Sequence, residues 1–224
     1  LVINAVYRLQ MYGDKLTVWE KLYEDHCTQL LREMFMALAS ECWRLTAHDQ
    51  QQSGSTGRKN AQGVNNSAEN DLVIYDLGHE QMVIEALVSE SIDWNNAWEH
   101  LYKLIGDGRN RPIMLLIYGH SKQSVRDREA MMQLVRKEMQ EPQIKEVRFT
   151  ELRPLSDVEN LYIPGLFGEL PKELVEYCMV TEVSHPGYDN FPLFVLYADI
   201  TRRANVEISK QAREGKPSPK TTVV

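Results

Sequence analysis

The stretch NDLVIYDLGHEQMVIEALVSES, residues 70–91, determines the predicted fold. Two apolar runs, DLVIYDL and QMVIEALV, flank a short segment that contains a glycine. Runs of this length, rich in β-branched residues and joined by a tight turn, predict a β-hairpin. Two carboxylates occupy unusual positions in it, because Asp71 opens the first run and Glu85 lies deep in the second.

Glu85 is a charged residue inside a run that otherwise reads as core. In strand alternation it shares its face with Val83 and Leu87, both apolar. Burying a carboxylate alone costs several kcal/mol, so a buried Glu85 requires a partner. The alternative is an ordinary glutamate on an outward-facing position.

Asp71 and Glu85 lie on neighbouring strands of the predicted hairpin, so their carboxylates can meet at one end of the sheet. Carboxylate oxygens are ligands for hard cations, and Mg²⁺ typically takes one or two of them together with water and substrate phosphate. An ion held in this way activates water and stabilises a phosphodiester transition state. The pair is therefore a candidate Mg²⁺ site.

The chain before the hairpin divides into a helical part and a polar part. Residues 15–46 are predicted to form one long helix that Asp14 caps, after a shorter helix around Val2 to Met11. The polar stretch, residues 46–70, consists mostly of Gly, Ser, Gln and Asn and is predicted to be a loop. The helix prediction rests on apolar residues at steps of three and four: Leu16, Trp19, Leu22, Tyr23, Cys27, Leu30, Leu31, Met34, Leu38, Cys42 and Leu45.

After the hairpin, helices and strands alternate. WNNAWEHLYKLIG is predicted to be a helix between an Asp93 cap and a terminal Gly106, and RPIMLLIYG a central strand that is apolar on both faces. Further helices are predicted at SKQSVRDREAMMQLVRKEMQ and PKELVEY, and further strands at IKEVRFTEL, CMVTEVS and FPLFVLYADIT. The pattern predicts an α/β fold, a mixed β-sheet flanked by helices and preceded by a long N-terminal helix.

The predicted domain organisation has one main unit. Residues 15–208 are expected to form a single α/β domain, and residues 1–14 an N-terminal segment that ends an upstream element. Residues 209–224 are polar, contain proline and are locally basic, which predicts a disordered tail.

Composition restricts the class of protein. The net charge of −7 argues against a chain whose entire surface binds nucleic acid, although it allows one basic groove. Neither a transmembrane run nor a signal peptide is recognisable, so no membrane association is expected. Three cysteines without a CxxC pair predict reduced thiols in a cytoplasmic protein. Because the sequence begins with leucine, we expect a fragment of a longer protein.

The order of these motifs resembles the PD-(D/E)XK nuclease-like superfamily, which has the restriction-endonuclease-like fold. It is similar to a bacterial subgroup with a Gly/Ser loop, a GELDIxI strand, an EAL motif, an S…H…KL helix and an apolar LLVY strand. The counterparts here are QQSGSTG, ENDLVIYD, IEALVSESIDWNNAWEHLYKL and IMLLIYG, and the late FPLFVLYADI resembles the final strand. The resemblance covers about residues 20–201.

The resemblance implies a Mg²⁺-dependent DNA endonuclease of a bacterial defence system, working with a protein partner in a multi-component complex. It implies Asp71 and Glu85 as metal ligands, with Glu24 on the long helix as a third and Glu33 as the alternative to Glu24. Asp71 and Glu85 are also the implied catalytic residues.

One departure from the family pattern affects catalysis. Leu87 stands where the Glu-x-Lys motif places its lysine. Lys103 is the first candidate for the missing positive charge, since it follows His100 by three residues and shares a helix face with it. Lys59 in the polar stretch is the second. The alternative for His100 and Lys103 is a helix edge that packs on the sheet.

Two other functions stay open. A nuclease-like fold without catalysis would serve as a nucleic-acid-binding, protein-binding or assembly module, which the missing lysine and the negative charge favour. An unrelated α/β domain with chance acidic residues would place Asp71 and Glu85 far apart.

Overall fold

The structure is a computed structural model. It describes residues 1–11, 24–41, 44–59, 65–89, 94–106, 111–119, 124–142, 144–157, 178–187 and 189–200. The helices are α1 (Val2–Met11), α2 (Glu24–Leu38), α3 (Trp94–Gly106) and α4 (Ser124–Gln140). The strands are β1 (Leu45–Lys59), β2 (Asn65–Asp76), β3 (His79–Ser89), β4 (Ile113–Gly119), β5 (Arg148–Phe149), β6 (Arg153–Pro154), β7 (Cys178–Ser184) and β8 (Phe191–Asp199).

The strands form one mixed sheet in the order β1-β2-β3-β4-β8-β7-β5, and β6 also pairs with β7. Pairing is antiparallel from β1 to β3 and parallel from β3 through β4 to β8. β7 returns antiparallel to β8. The predicted α/β class, with a mixed sheet flanked by helices, is therefore confirmed.

Helices cover both faces of the sheet centre. On one face, α1 and α2 contribute buried residues such as Leu9 and Leu31 to a core with Ile84 of β3. On the other, α3 and α4 pack with Val83 and Leu87 of the same strand. Because β4 lies between these two layers, every one of its residues is buried, as its continuous apolar run predicts.

The β2–β3 hairpin is confirmed. Its turn places two successive residues at positive φ, Leu77 at 50° and Gly78 at 80°. That combination matches the right-handed twist of the flanking strands and is typical of a tight two-residue hairpin. Leu77 is exposed, so the turn carries an apolar side chain without burying it.

The prediction of one long helix over residues 15–46 is wrong at its C-terminal end. α2 ends at Leu38, a 3-10 turn follows at Ala39–Glu41, and β1 begins at Leu45. The Arg44 guanidinium donates to both carboxylate oxygens of Asp76, at 2.9 and 2.6 Å, and this anchors the chain to the hairpin turn. The short helix around Val2 to Met11 is confirmed, while the Asp14 cap lies outside the described residues.

The prediction of a loop over residues 46–70 is also wrong. β1 and β2 pair in antiparallel register from Leu45 opposite Asp76 to Lys59 opposite Asn65, with two register shifts on the way. Backbone N–H and C=O groups form this ladder, so it does not require the apolar alternation on which the sequence argument relied.

After the hairpin, one predicted strand differs from the structure, and three other predictions lie outside the described residues. IKEVRFTEL contains only the two-residue strand β5, and the two-residue strand β6 follows it directly. Between β5 and β6, the Thr150 hydroxyl oxygen accepts a 2.9 Å hydrogen bond from the Glu182 N–H of β7, where a regular strand would use a backbone carbonyl. PKELVEY, the Asp93 cap and the predicted tail at residues 209–224 lie outside the described residues.

The cysteines that the structure describes are buried thiols without a disulfide, Cys27 and Cys178. Burial raises the pKa of the Cys178 thiol to about 12, so this group stays protonated and weakly nucleophilic at neutral pH. Cys42 lies outside the described residues. Within the described ranges, no helix combines the length and the apolar character that crossing a membrane requires.

Candidate metal centre

Asp71 and Glu85 lie together at the end of the β2–β3 ladder. Leu72 pairs with Ile84, so the preceding residue of β2 and the following residue of β3 are neighbours across the hairpin. Asp71 Oδ2 accepts a 2.7 Å hydrogen bond from the Ala86 backbone N–H. This bond holds the Asp71 carboxylate against β3, on the side where Glu85 lies.

Helix α3 covers Glu85 on the sheet face that also carries Val83 and Leu87. Its buried residues Ala97, Leu101 and Leu104 recur at steps of four and three and press one stripe of the helix onto the sheet. His100 and Lys103 lie next to this stripe, so both side chains reach the sheet surface at the helix edge.

Both α3 side chains contact one oxygen of Glu85. His100 Nδ1 lies 2.9 Å and Lys103 Nζ 2.5 Å from Glu85 Oε1. The Glu85 side chain is 0 % exposed, whereas those of His100 and Lys103 are 23 % and 30 % exposed. Glu85 is thus fully buried with a partly solvated cation beside it, and water reaches the site from the α3 side.

The second oxygen of Glu85 is different. Among the residues that the structure describes, Oε2 is buried and has no hydrogen-bond partner. A buried polar atom without a partner costs about 1–3 kcal/mol, and more when it carries charge. A cation is the natural occupant beside such an oxygen, since a carboxylate oxygen only accepts hydrogen bonds or ligates metal.

The residues present fit a divalent metal ion. One ligand atom from each of Asp71, Glu85 and His100 lies within 4.8 Å of the other two. The set offers two carboxylate oxygens and one imidazole nitrogen, which divalent ions of the first transition row and zinc accept.

The structure brings together three residues named from the sequence, Asp71, Glu85 and Lys103. The alternative of an unrelated α/β domain predicts that Asp71 and Glu85 lie far apart. In the structure, a ligand atom of each lies within 4.8 Å of the other. Lys103 contacts Glu85, which places its positive charge at the site where the lysine of the Glu-x-Lys motif is missing. A role of Lys103 in catalysis stays a prediction.

The other sequence candidates are not part of this cluster. Glu33 is exposed on α2, which packs on the opposite face of the sheet. The side chains of Glu24, at the start of α2, and of Lys59, at the end of β1, lie outside the described residues.

His100 is a site residue that was not predicted as a metal ligand. It was named from the sequence only because it lies three residues before Lys103. The signal that identifies it is the three-residue spacing on a helix that follows the Glu85 strand directly. Its contact with Glu85 depends on how α3 lies on the sheet, which the sequence does not specify.

A second ion pair lies at the other end of β3. The Arg111 guanidinium contacts the Glu80 carboxylate, and the Tyr75 hydroxyl lies 3.4 Å from Glu80 Oε1. Burial lowers the pKa of Arg111, and the charge interaction with Tyr75 opposes that shift. No local spacing in the sequence predicts this pair, because its two charged residues are 31 positions apart.

Comparisons of the chain with protein-family models, curated proteins and solved structures find no match. Within the described residues, the defining features of the site are a buried carboxylate with one oxygen that lacks a hydrogen-bond partner, a second carboxylate beside it, and an imidazole and an ammonium at its solvent side.

Proposed function

We propose that this chain is a nuclease-like domain of the PD-(D/E)XK type that binds a divalent metal ion and hydrolyses phosphodiester bonds in DNA. The observation that carries the proposal is the buried Glu85 carboxylate, whose Oε2 has no hydrogen-bond partner among the described residues and which clusters with a ligand atom of Asp71 within 4.8 Å. The elements α2, β2, β3, α3 and β4 occur in the order that the resemblance implies, with β1 as an additional strand between α2 and β2.

Each residue has a defined task in this proposal. Asp71 and Glu85 hold the ion, and the Ala86 N–H keeps the Asp71 carboxylate in place. The resemblance implies Mg²⁺, which supplies an activated water and charge stabilisation when bound. Lys103 provides positive charge for the phosphate at the solvent side of the cluster. Glu24 stays a predicted additional ligand.

The test is cleavage of supercoiled and linear DNA with Mg²⁺ or Mn²⁺. Asp71→Ala and Glu85→Ala are each expected to abolish cleavage, because each removes a metal ligand. Glu80→Ala is the matched control, since it removes a carboxylate from the same strand outside the cluster. Cleavage that survives in both site variants would contradict the assignment.

A second function has one specific observation in its favour. Lys103 and His100 both contact Glu85 Oε1, so the cluster also works as an ion pair that fixes α3 on the sheet. In that case the domain is a catalytically inactive binding or assembly module within a larger complex. Metal binding without cleavage of any nucleic acid, in the presence of its partners, would favour this function.

A further inference from the structure

His100 sets this cluster apart from an all-oxygen site. Its Nδ1 lies 2.9 Å from Glu85 Oε1. Two ligands of one ion, each about 2.1 Å away and at right angles, are separated by about 3 Å. The 2.9 Å contact is a hydrogen bond in the metal-free chain, and the same spacing also fits an imidazole nitrogen and a carboxylate oxygen that bind a single ion.

The donor set has a consequence for metal choice. Mg²⁺ takes oxygen ligands and near-ideal octahedral geometry, and it gains little from an imidazole. Nitrogen ligands favour ions later in the first transition row, such as Co²⁺ and Zn²⁺. Because one of the three available donors is a nitrogen, the cluster favours these ions over Mg²⁺.

Lys103 strengthens this preference. Its ammonium already occupies Glu85 Oε1 at 2.5 Å, so an incoming ion has to compete with a cation for that oxygen. Oε2 carries no such competitor within the part of the chain that the structure describes. An ion that also binds the His100 nitrogen depends less on Oε1 than an ion restricted to oxygen.

We propose that the site selects Co²⁺ or Zn²⁺ over Mg²⁺, with His100 as a nitrogen ligand beside Asp71 and Glu85. This inference rests on the proposed metal site and specifies its ion. It assigns His100 to metal binding, a role that neither the sequence motifs nor the nuclease proposal requires.

The test measures metal binding by the full chain, independently of cleavage. Calorimetric titration compares Co²⁺ with Mg²⁺, and the visible absorption of bound Co²⁺ reports nitrogen ligation. The wild type is expected to bind Co²⁺ at least about tenfold more tightly than Mg²⁺. His100→Asn is expected to lose most of that difference and to change the absorption spectrum.

Two further variants complete the test. His79→Asn is the matched control, because His79 is exposed in the hairpin turn region at the far end of β3, and it is expected to bind as the wild type does. His100→Asp replaces the nitrogen by an oxygen ligand and is expected to shift the preference toward Mg²⁺. This variant keeps the test decisive if His100→Asn folds poorly.

The outcomes separate this inference from the nuclease proposal. Equal affinity for both ions, or unchanged Co²⁺ binding in His100→Asn, overturns the selection by His100. If Mg²⁺ binding is then lost in Asp71→Ala and Glu85→Ala, the proposed metal site still stands. A wild-type chain that binds neither ion overturns both.

Discussion

Strand β3 carries two ion-paired glutamates, and the difference between them defines the site. Glu80 is 23 % exposed and contacts Arg111, with the Tyr75 hydroxyl beside it. Glu85, five positions further along, is 0 % exposed and contacts Lys103 and His100 through a single oxygen. One end of the strand carries a partly exposed ion pair. The other carries a buried carboxylate for which the described residues supply hydrogen-bond partners to only one oxygen.

The cations differ as much as the carboxylates. A guanidinium is planar, always charged and matched to a carboxylate, so Arg111 forms a lasting structural contact. Lys103 ends in a compact ammonium on a flexible stem, and it can leave Glu85 for another anion. We infer that the Glu80 pair stabilises the fold, whereas the Glu85 cluster exchanges its partners.

The largest expected effect separates the two glutamates by their response to metal. Saturating Co²⁺ should raise the free energy of unfolding of the wild type by about 2–3 kcal/mol at 100-fold excess over Kd. Glu85→Gln should abolish that increase, because the amide is a poor ligand in place of a carboxylate. Denaturant unfolding with and without Co²⁺ measures it.

Glu80→Gln serves as the control for this comparison. It makes the same Glu→Gln change at another position of the same strand, and it should keep the full increase in unfolding free energy on Co²⁺ binding. If Co²⁺ still stabilises Glu85→Gln, or no longer stabilises Glu80→Gln, then Glu85 is not the glutamate of β3 that binds the ion.

The second effect concerns the two cations. Lys103→Met should lower the unfolding free energy of the metal-free chain by about 2 kcal/mol, since it leaves a buried carboxylate with His100 alone. The value is below that of a fully buried pair because the Lys103 side chain is 30 % exposed. Metal should then restore more stability than in the wild type, because its competitor has been removed.

Arg111→Met is the counterpart at the other end of β3. It should lower stability by about 1 kcal/mol while leaving the increment from metal unchanged. Equal metal increments in the wild type and Lys103→Met would show that Lys103 does not compete with the ion.

The smallest effect is the stability contribution of Glu80 itself. Arg111 and Glu80 are 14 % and 23 % exposed, but the amide oxygen of the introduced glutamine can still accept from the guanidinium, so Glu80→Gln should cost about 1 kcal/mol or less, and salt should screen part of that loss. Urea unfolding at low and high NaCl concentration measures it. A loss of several kcal/mol that salt does not change would place Glu80 among the buried charges.

The sequence predicted those parts of the site that depend on local spacing. Strand alternation and the glycine turn predicted the hairpin, and its register brings Asp71 beside Glu85. The three-residue spacing on α3 placed His100 and Lys103 on one face. The spacing does not show that Glu85 Oε2 lacks a hydrogen-bond partner among the described residues. That property depends on how closely α3 packs on the sheet.

The fold predictions failed where backbone pairing outweighs side-chain pattern. Residues 46–70 have almost no apolar character, and yet most of them join β1 and β2 through main-chain hydrogen bonds. The apolar periodicity of the predicted long helix continues to Leu45, but the Arg44–Asp76 contact fixes the start of β1 there. That contact joins residues 32 positions apart, which no local pattern reports.

The most direct test of the account is anomalous diffraction from crystals soaked in Co²⁺. We expect a cobalt peak about 2.1 Å from an oxygen of Asp71, an oxygen of Glu85 and Nδ1 of His100, with Lys103 displaced from Glu85. A Glu85 carboxylate that stays paired with Lys103 at saturating Co²⁺, with no peak at this position, would contradict it.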